Sequence, residues 1–278
     1  MADFAAATAL TATAEPPGAP ADGAHRVFDA VLDPQWAVGD KLHGGYLMAV
    51  MGRAACLASA DGHPDPTAMA ASFVLPPRPG PARVQVETLR AGKGSTRTRV
   101  RLEQDGAVCV EALATNGRLG EPAPFWSRTE PEPLPAEHAC PHSPADVPGS
   151  GFRVPLMEVV DQRIDPQIVQ ALAGRPSLRG RVAGWQRLAG GADWDPLSLL
   201  VALDMVPPVS YDLGLAGWAP TVQMSAYVRA VPAPGPVRVA MQAEEVSGDR
   251  MDVSVRVWDA KDRLVAQASQ IAAVRTPE

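Results

Sequence analysis

The strongest constraint on the fold is that the chain runs the same short programme twice. Gly80-Pro81-Ala82-Arg83-Val84 recurs as Gly235-Pro236-Val237-Arg238-Val239, and Pro77 and Pro79 ahead of the first copy are mirrored by Pro232 and Pro234. Further on, Asp105-Gly106-Ala107-Val108 is echoed by Asp262-Arg263-Leu264-Val265. Such a duplication must be recognised before any fold is assigned, because each half is then one unit of the same architecture. In the first half, residues 27–32 read as a strand and residues 47–57 as an apolar helix, ended by the breakers Asp61-Gly62 and His63-Pro64. Strand-like segments follow at 70–75, 83–89, 96–103 and 107–115. The second half repeats this order, with strand candidates at 154–163 and 181–188, a helix at 195–203, and strands to the end.

A helix that is apolar on most faces needs cover on most faces, and a sheet curled around it supplies that cover. The expected fold is therefore α+β, a double hot dog: two antiparallel sheets, each wrapped around one long helix. Between Gly117 and Pro155 the chain carries Pro122, Pro124, Pro131, Pro133, Pro135, Pro141, Pro144 and Pro148. Proline at that density builds neither a helix nor a central strand. The predicted layout is an N-terminal hot-dog domain at 25–118, a Pro-rich linker at 119–155 and a C-terminal hot-dog domain at 156–278. Residues 1–24 are rich in Ala, Thr and Pro and carry no Lys or Arg, so they read as a mostly disordered lead-in without secretory character.

Composition removes several classes of function. The 278 residues are 46% hydrophobic, enough for two modest cores, and the net charge of −6 with no basic cluster argues against nucleic acid. No apolar run is long enough to span a membrane. Cys56, Cys109 and Cys140 form no C-x-x-C pair, which fits a reducing cytoplasm. The signatures G-x-S-x-G, G-x-G-x-x-G, the P-loop and H-E-x-x-H are all absent. His138-Ala139-Cys140-Pro141-His142 offers three soft ligands in a proline-rich loop with no fourth, so it reads as loop and not as a metal site. No cofactor is expected.

A small polar set remains. Residues 193–204 read as one helix with Asp195 at the N-cap and Pro196 in the first turn. Leu197, Leu200 and Val201 form its apolar stripe, and the next position of that stripe is Asp204. A carboxylate there faces the core at the C-terminal end of a helix, where the dipole disfavours an anion by about 0.3–1 kcal/mol. Local rules broken together tend to mark function. In the last strand, one face carries Leu264, Ala266, Ala268, Ala272 and Val274 with a single polar member, Gln270. Thr221 opens the strand Thr221-Val222-Gln223-Met224-Ser225-Ala226-Tyr227; simple alternation groups it with Gln223 and Ser225, not clearly inward. His43-Gly44-Gly45 opens the first half's helix, where glycine lets a ligand approach free backbone N–H groups, or makes only a turn.

These residues resemble the acyl-CoA thioesterase II family of double hot-dog enzymes, over about residues 25–275. The positions that match are Asp204 in Ala202-Leu203-Asp204-Met205, Thr221 in Pro220-Thr221-Val222-Gln223-Met224-Ser225, and Gln270 in the Val-Ala-x-x-x-Gln-x-x-x-x-Arg frame of residues 265–275. Gln223-Met224 departs from the Asp-His pair common in that family. The resemblance implies hydrolysis of acyl-CoA by water that Asp204, Thr221 and Gln270 activate; the helix N-terminus at His43, Gly44 and Gly45 is the candidate for the oxyanion or substrate. The first helix holds no Asp or Glu, and aligning Asp105 with Asp262 puts Leu113 opposite Gln270, which predicts one active site per chain. Hot-dog sheets often pair side by side, so a homodimer or higher homo-oligomer is expected. Two rival readings are a hot-dog enoyl-thioester hydratase, for which no His lies near Asp204 in the sequence, and a non-catalytic acyl-CoA binder.

Overall fold

Ten of the eleven residues from Gly45 to Ala55, all but Arg53, form no polar stripe, and such a segment can be stable as a helix only when packed on all sides. The computed structural model, which describes residues 3–13, 24–60, 62–120, 124–146, 152–215 and 217–277, packs them in this way. Helix α2 (Gly44–Ala58) follows α1 (Phe4–Ala7), and all ten of those residues are buried. The strands of the first half are β1 (Leu10–Ala12), β2 (His25–Leu32), β3 (Ala37–Val38), β4 (Lys41–Leu42), β5 (Asp65–Phe73), β6 (Gly80–Ala91), β7 (Thr96–Gln104) and β8 (Ala107–Gly117). The second half has β9 (Val160–Ile164), α3 (Pro166–Leu172), β10 (Arg181–Leu188), α4 (Leu199–Ala202), β11 (Thr221–Val228), β12 (Val237–Ser247), β13 (Arg250–Trp258) and β14 (Leu264–Ala273).

Two sheets, one for each half, were expected; among the described residues the long strands of both halves join in one large sheet. Twelve strands run in the order β1-β2-β6-β7-β8-β5-β11-β14-β13-β12-β10-β9, with β3 and β4 as a separate pair. The halves meet where β5 pairs antiparallel with β11, Ala70 opposite Ser225 and Ala71 opposite Met224. Joining the two edge strands satisfies backbone groups that two independent sheets would leave exposed. One face alternates buried along each strand, as in Thr96, Thr98, Val100 and Leu102 of β7, and the helices lie on that face.

The second half's helix is also shorter than the sequence suggests. The span expected at 195–203 holds only one α-turn, Leu199–Ala202. Bonds spanning three residues (Leu200 N to Leu197 O, Val201 N to Ser198 O, Asp204 N to Val201 O) are interleaved with bonds spanning four (Leu199 N to Asp195 O, Ala202 N to Ser198 O, Leu203 N to Leu199 O), so regular α-helix does not extend over the whole span. Its start does follow the sequence. Ser198 N donates to Asp195 Oδ1 at 2.6 Å, and Asp195 N donates to Ser198 Oγ at 2.8 Å, a reciprocal cap.

The lead-in, expected to be disordered through residue 24, is structured over residues 3–13; residues 1–2 and 14–23 lie outside the described residues. Phe4 packs edge-on against Trp36 at 5.5 Å, and Trp36 stacks on Tyr46 at 5.4 Å. The Tyr46 hydroxyl donates to Ala7 O at 2.7 Å and accepts from Asp33 N at 3.0 Å. Burial pushes its pKa up to about 12, which keeps it a donor. The Pro-rich segment is extended but not loose. Arg181 Nε donates to Glu132 at 2.5 Å, Trp185 Nε1 to Pro135 O at 3.0 Å and Arg187 Nε to Glu137 at 2.6 Å, fastening it along β10. Within it, His142 faces Asp161 and the Cys140 thiol faces Pro135 O. Among the described residues no three His, Cys, Asp or Glu side chains converge as a metal site.

The two helices cross closely because α2 is bare at the contact. A Cβ on Gly45 would sit 2.5 Å from Leu200 O and 2.9 Å from Val201 Cα; one on Gly52, two turns on, would meet only the tips of Leu197 and Leu200. Backbone cannot yield as side-chain tips do. Gly45→Ala is therefore expected to cost about 1–3 kcal/mol of stability through overpacking. Gly52→Ala should cost less, since leucine tips rotate and alanine favours a helix by about 0.5–1 kcal/mol. Urea denaturation of both variants checks this, and equal losses would contradict it.

Candidate active site

Asp204 stands at the wrong end of its own helix and at the right end of another. The crossing places its carboxylate at the N-terminus of α2, where Gly45 N donates to Asp204 Oδ2 at 3.0 Å. The positive end of the α2 dipole offsets the negative end of α4. His43 caps α2: its Nδ1 accepts from Tyr46 N at 3.3 Å, so Nε2 carries the proton. That nitrogen lies 2.5 Å from Asp204 O and 3.3 Å from Asp204 Oδ2. A histidine that the sequence places 161 residues from Asp204 is thus its direct neighbour in space.

The cap leaves one donor unspent. Of the first N–H groups of α2, Gly45 serves Asp204, Tyr46 serves His43 Nδ1 and Leu47 serves His43 O. The Gly44 N–H makes no hydrogen bond among the described residues, and Gly44 lines a cavity of about 270 Å³ between the halves. His43, Asp204, Thr221 and Gln270 line the same cavity; Gly45 does not. Of the two glycines expected at a ligand, Gly44 lines the cavity, whereas the Gly45 N–H is spent on Asp204.

Thr221 points inward because of a β-bulge that alternation could not anticipate. Thr221 pairs with Ala272 and Gln223 with Ile271, so Val222 is the extra residue and the phase of the strand resets. Thr221 thereby joins the buried face of Met224 and Ala226. Its hydroxyl donates to Gln270 Oε1 at 3.3 Å, which leaves the Gln270 amide N–H groups as donors. Asp204 Oδ1 also has no partner among the described residues. The cavity therefore holds an acceptor carboxylate oxygen, an amide donor and a backbone donor.

The first half carries the same bulge, with Pro66 opposite Asn116 and Ala68 opposite Thr115. Counting from it, Thr221 corresponds to Pro66, and Gln270 to Ala114 rather than to the outward-facing Leu113. Neither counterpart can do acid–base chemistry. The rim, formed by exposed Val74, Leu75, Pro76 and Trp218, was not flagged by sequence; the nearby Pro77 registered only as a marker of the repeat.

Two family models match the chain. The acyl-CoA thioesterase N-terminal domain matches residues 32–117 and the acyl-CoA thioesterase C-terminal domain residues 131–274. An uncharacterized protein of Mycobacterium tuberculosis is 33% identical over 295 residues, covering 98% of each chain. A supposed thioesterase II from Thermobifida fusca superposes with a TM-score of 0.85 at 29% identity, covering 99% of this chain and 98% of that one. A hot-dog protein of unknown function from Alicyclobacillus acidocaldarius superposes at 0.80 with 20% identity and coverage of 99% and 98%, a likeness of fold alone.

Read from α4 alone, the Asp204 charge destabilises the protein, and Asp204→Asn would leave stability equal or raise it. The contact with α2 reverses that sign. Removing the charge forfeits about 0.3–1 kcal/mol of helix-dipole stabilisation. For a chain of this size that lowers the Tm by about 1–4 °C. A Tm above wild type in a thermal scan would contradict the geometry.

Proposed function

The chain belongs to the acyl-CoA thioesterase family, and on that premise we propose that it hydrolyses acyl-CoA to a free carboxylic acid and CoA by direct attack of water. Asp204 takes a proton from the water as its oxygen bonds to the thioester carbon. An aspartate, with a reference pKa of about 3.9, is ionised at neutral pH and suits this work. The Gln270 amide, oriented by Thr221, holds the water in place, which lowers the entropic part of the barrier. The Gly44 N–H receives the developing oxyanion at the helix N-terminus. The C–S bond then breaks, and the proton held by Asp204 returns to the leaving thiolate. The observation that carries this reading is the convergence of three unspent groups, Asp204 Oδ1, the Gln270 amide and the Gly44 N–H, on one cavity.

The contact between His43 and Asp204 favours a second reading, hydration of an enoyl thioester by a His–Asp pair. That chemistry needs an imidazole nitrogen facing substrate. Both nitrogens of His43 are occupied within the protein and its side chain is 3% exposed, so the ring is better suited to positioning Asp204. A non-catalytic acyl-CoA binder would need neither the base nor the donors. No helix among the described residues is long and apolar enough to cross a membrane, and we place the activity in the cytoplasm.

Thiol release from acyl-CoA, followed with a thiol reagent, separates hydrolysis from both alternatives. Asp204→Asn should lower turnover by about 10²–10⁴. Thr221→Ala and Gln270→Ala should each slow it, and each should add little to Asp204→Asn, since groups acting as one unit are not additive. Near-wild-type turnover by Asp204→Asn defeats the mechanism.

A further inference from the structure

The cavity behind Asp204 is graded in both exposure and polarity. Its rim residues Leu75 and Trp218 are 48% and 50% exposed, whereas Met241 and Met251 at its inner end are each 1% exposed. The polar lining, His43, Asp204, Thr221 and Gln270, is gathered at the reacting position, with Lys41 the remaining polar member. The other buried side chains of the lining, Val38, Leu42, Leu47, Met205, Val209 and Ala272, are all apolar.

We propose that the acyl group is an unsubstituted aliphatic chain of short to medium length, and that Met241 and Met251 form the wall that sets this length. The proposal rests on the thioester-hydrolase reading for the identity of the reacting group. A hydroxyl or carboxylate carried to the inner end would lose its water and meet no partner there, which selects plain hydrocarbon. The length limit follows from the sheet. Thr221 pairs with Ala272, and Ala272 pairs with Met251, so one rung leads from the reacting position to the wall. Two strand spacings place the Met251 backbone about 10 Å from that of Thr221. The volume of about 270 Å³ also falls below the range of about 300–1,000 Å³ for sites that take drug-sized ligands. A chain of several carbons fits this depth, and a palmitoyl tail does not.

The test uses S-alkyl-CoA thioethers from ethyl to hexadecyl, which cannot be hydrolysed, with binding followed by calorimetry. Affinity should rise about fourfold for each methylene buried, then stop rising between butyl and decyl. Met251→Ala should move that break to a longer chain, while the volume-conserving Met251→Leu should leave it in place. Affinity that climbs steadily to hexadecyl in the wild type overturns the proposal whether or not any variant folds. A break that stays put in folded Met251→Ala and Met241→Ala overturns the assignment to the methionines. The matching acyl-CoA esters are assayed for thiol release in parallel. A break in thioether affinity without hydrolysis supports the wall and removes the hydrolase reading. Hydrolysis without a break does the reverse, and absence of both binding and hydrolysis overturns the two together.

Discussion

The site depends on how closely two helices approach one another. At Gly45 the backbone of α2 lies against the backbone of α4 with no room for a Cβ. That contact delivers Asp204 of the second half to the free N–H groups of the first half's helix. Each helix alone presents an incomplete device. The N-terminus of α2 has donors and no carboxylate, and α4 has a carboxylate held at its disfavoured end. Their crossing turns the electrostatic misfit into a bond. It also separates the two glycines: the Gly45 N–H holds the carboxylate, and the Gly44 N–H stays unspent at the cavity.

Continuity of the sheet serves the same end. β5 and β11 join the halves edge to edge, so that β11 and β14 bring Thr221 and Gln270 into the cavity that α2 opens. The pseudo-equivalent position in the first half shares the bulge but offers Pro66 and Ala114. Duplication supplied two frames, and polar residues remain at one.

The repeat, the α+β class and the helix of the first half were legible because they rest on punctuation and on burial, both of which composition records. Asp204 and Gln270 could be found because each breaks the apolar pattern around it. Thr221 could not be oriented, since an inserted residue at Val222 shifts the phase of a strand without a local signature. The neighbourhood of His43 was invisible for a different reason: nothing short-range links residues that meet only through a helix crossing. The lead-in misled because alanine and threonine suggest a chain without a core, whereas Phe4 finds its core in Trp36, beside Tyr46. The shortness of α4 follows from bonds spanning three residues, which an apolar spacing does not distinguish from those spanning four.

The most direct test of the account is the fate of the attacking oxygen. In a single turnover of acyl-CoA in heavy-oxygen water, direct attack activated by Asp204 puts the heavy atom into the released carboxylic acid and leaves the protein unlabelled. Mass spectrometry of the peptide that contains Asp204 reads the alternative. Heavy oxygen in that carboxylate, with none in the product, would mean that Asp204 attacks the thioester itself, and would contradict a base working through water.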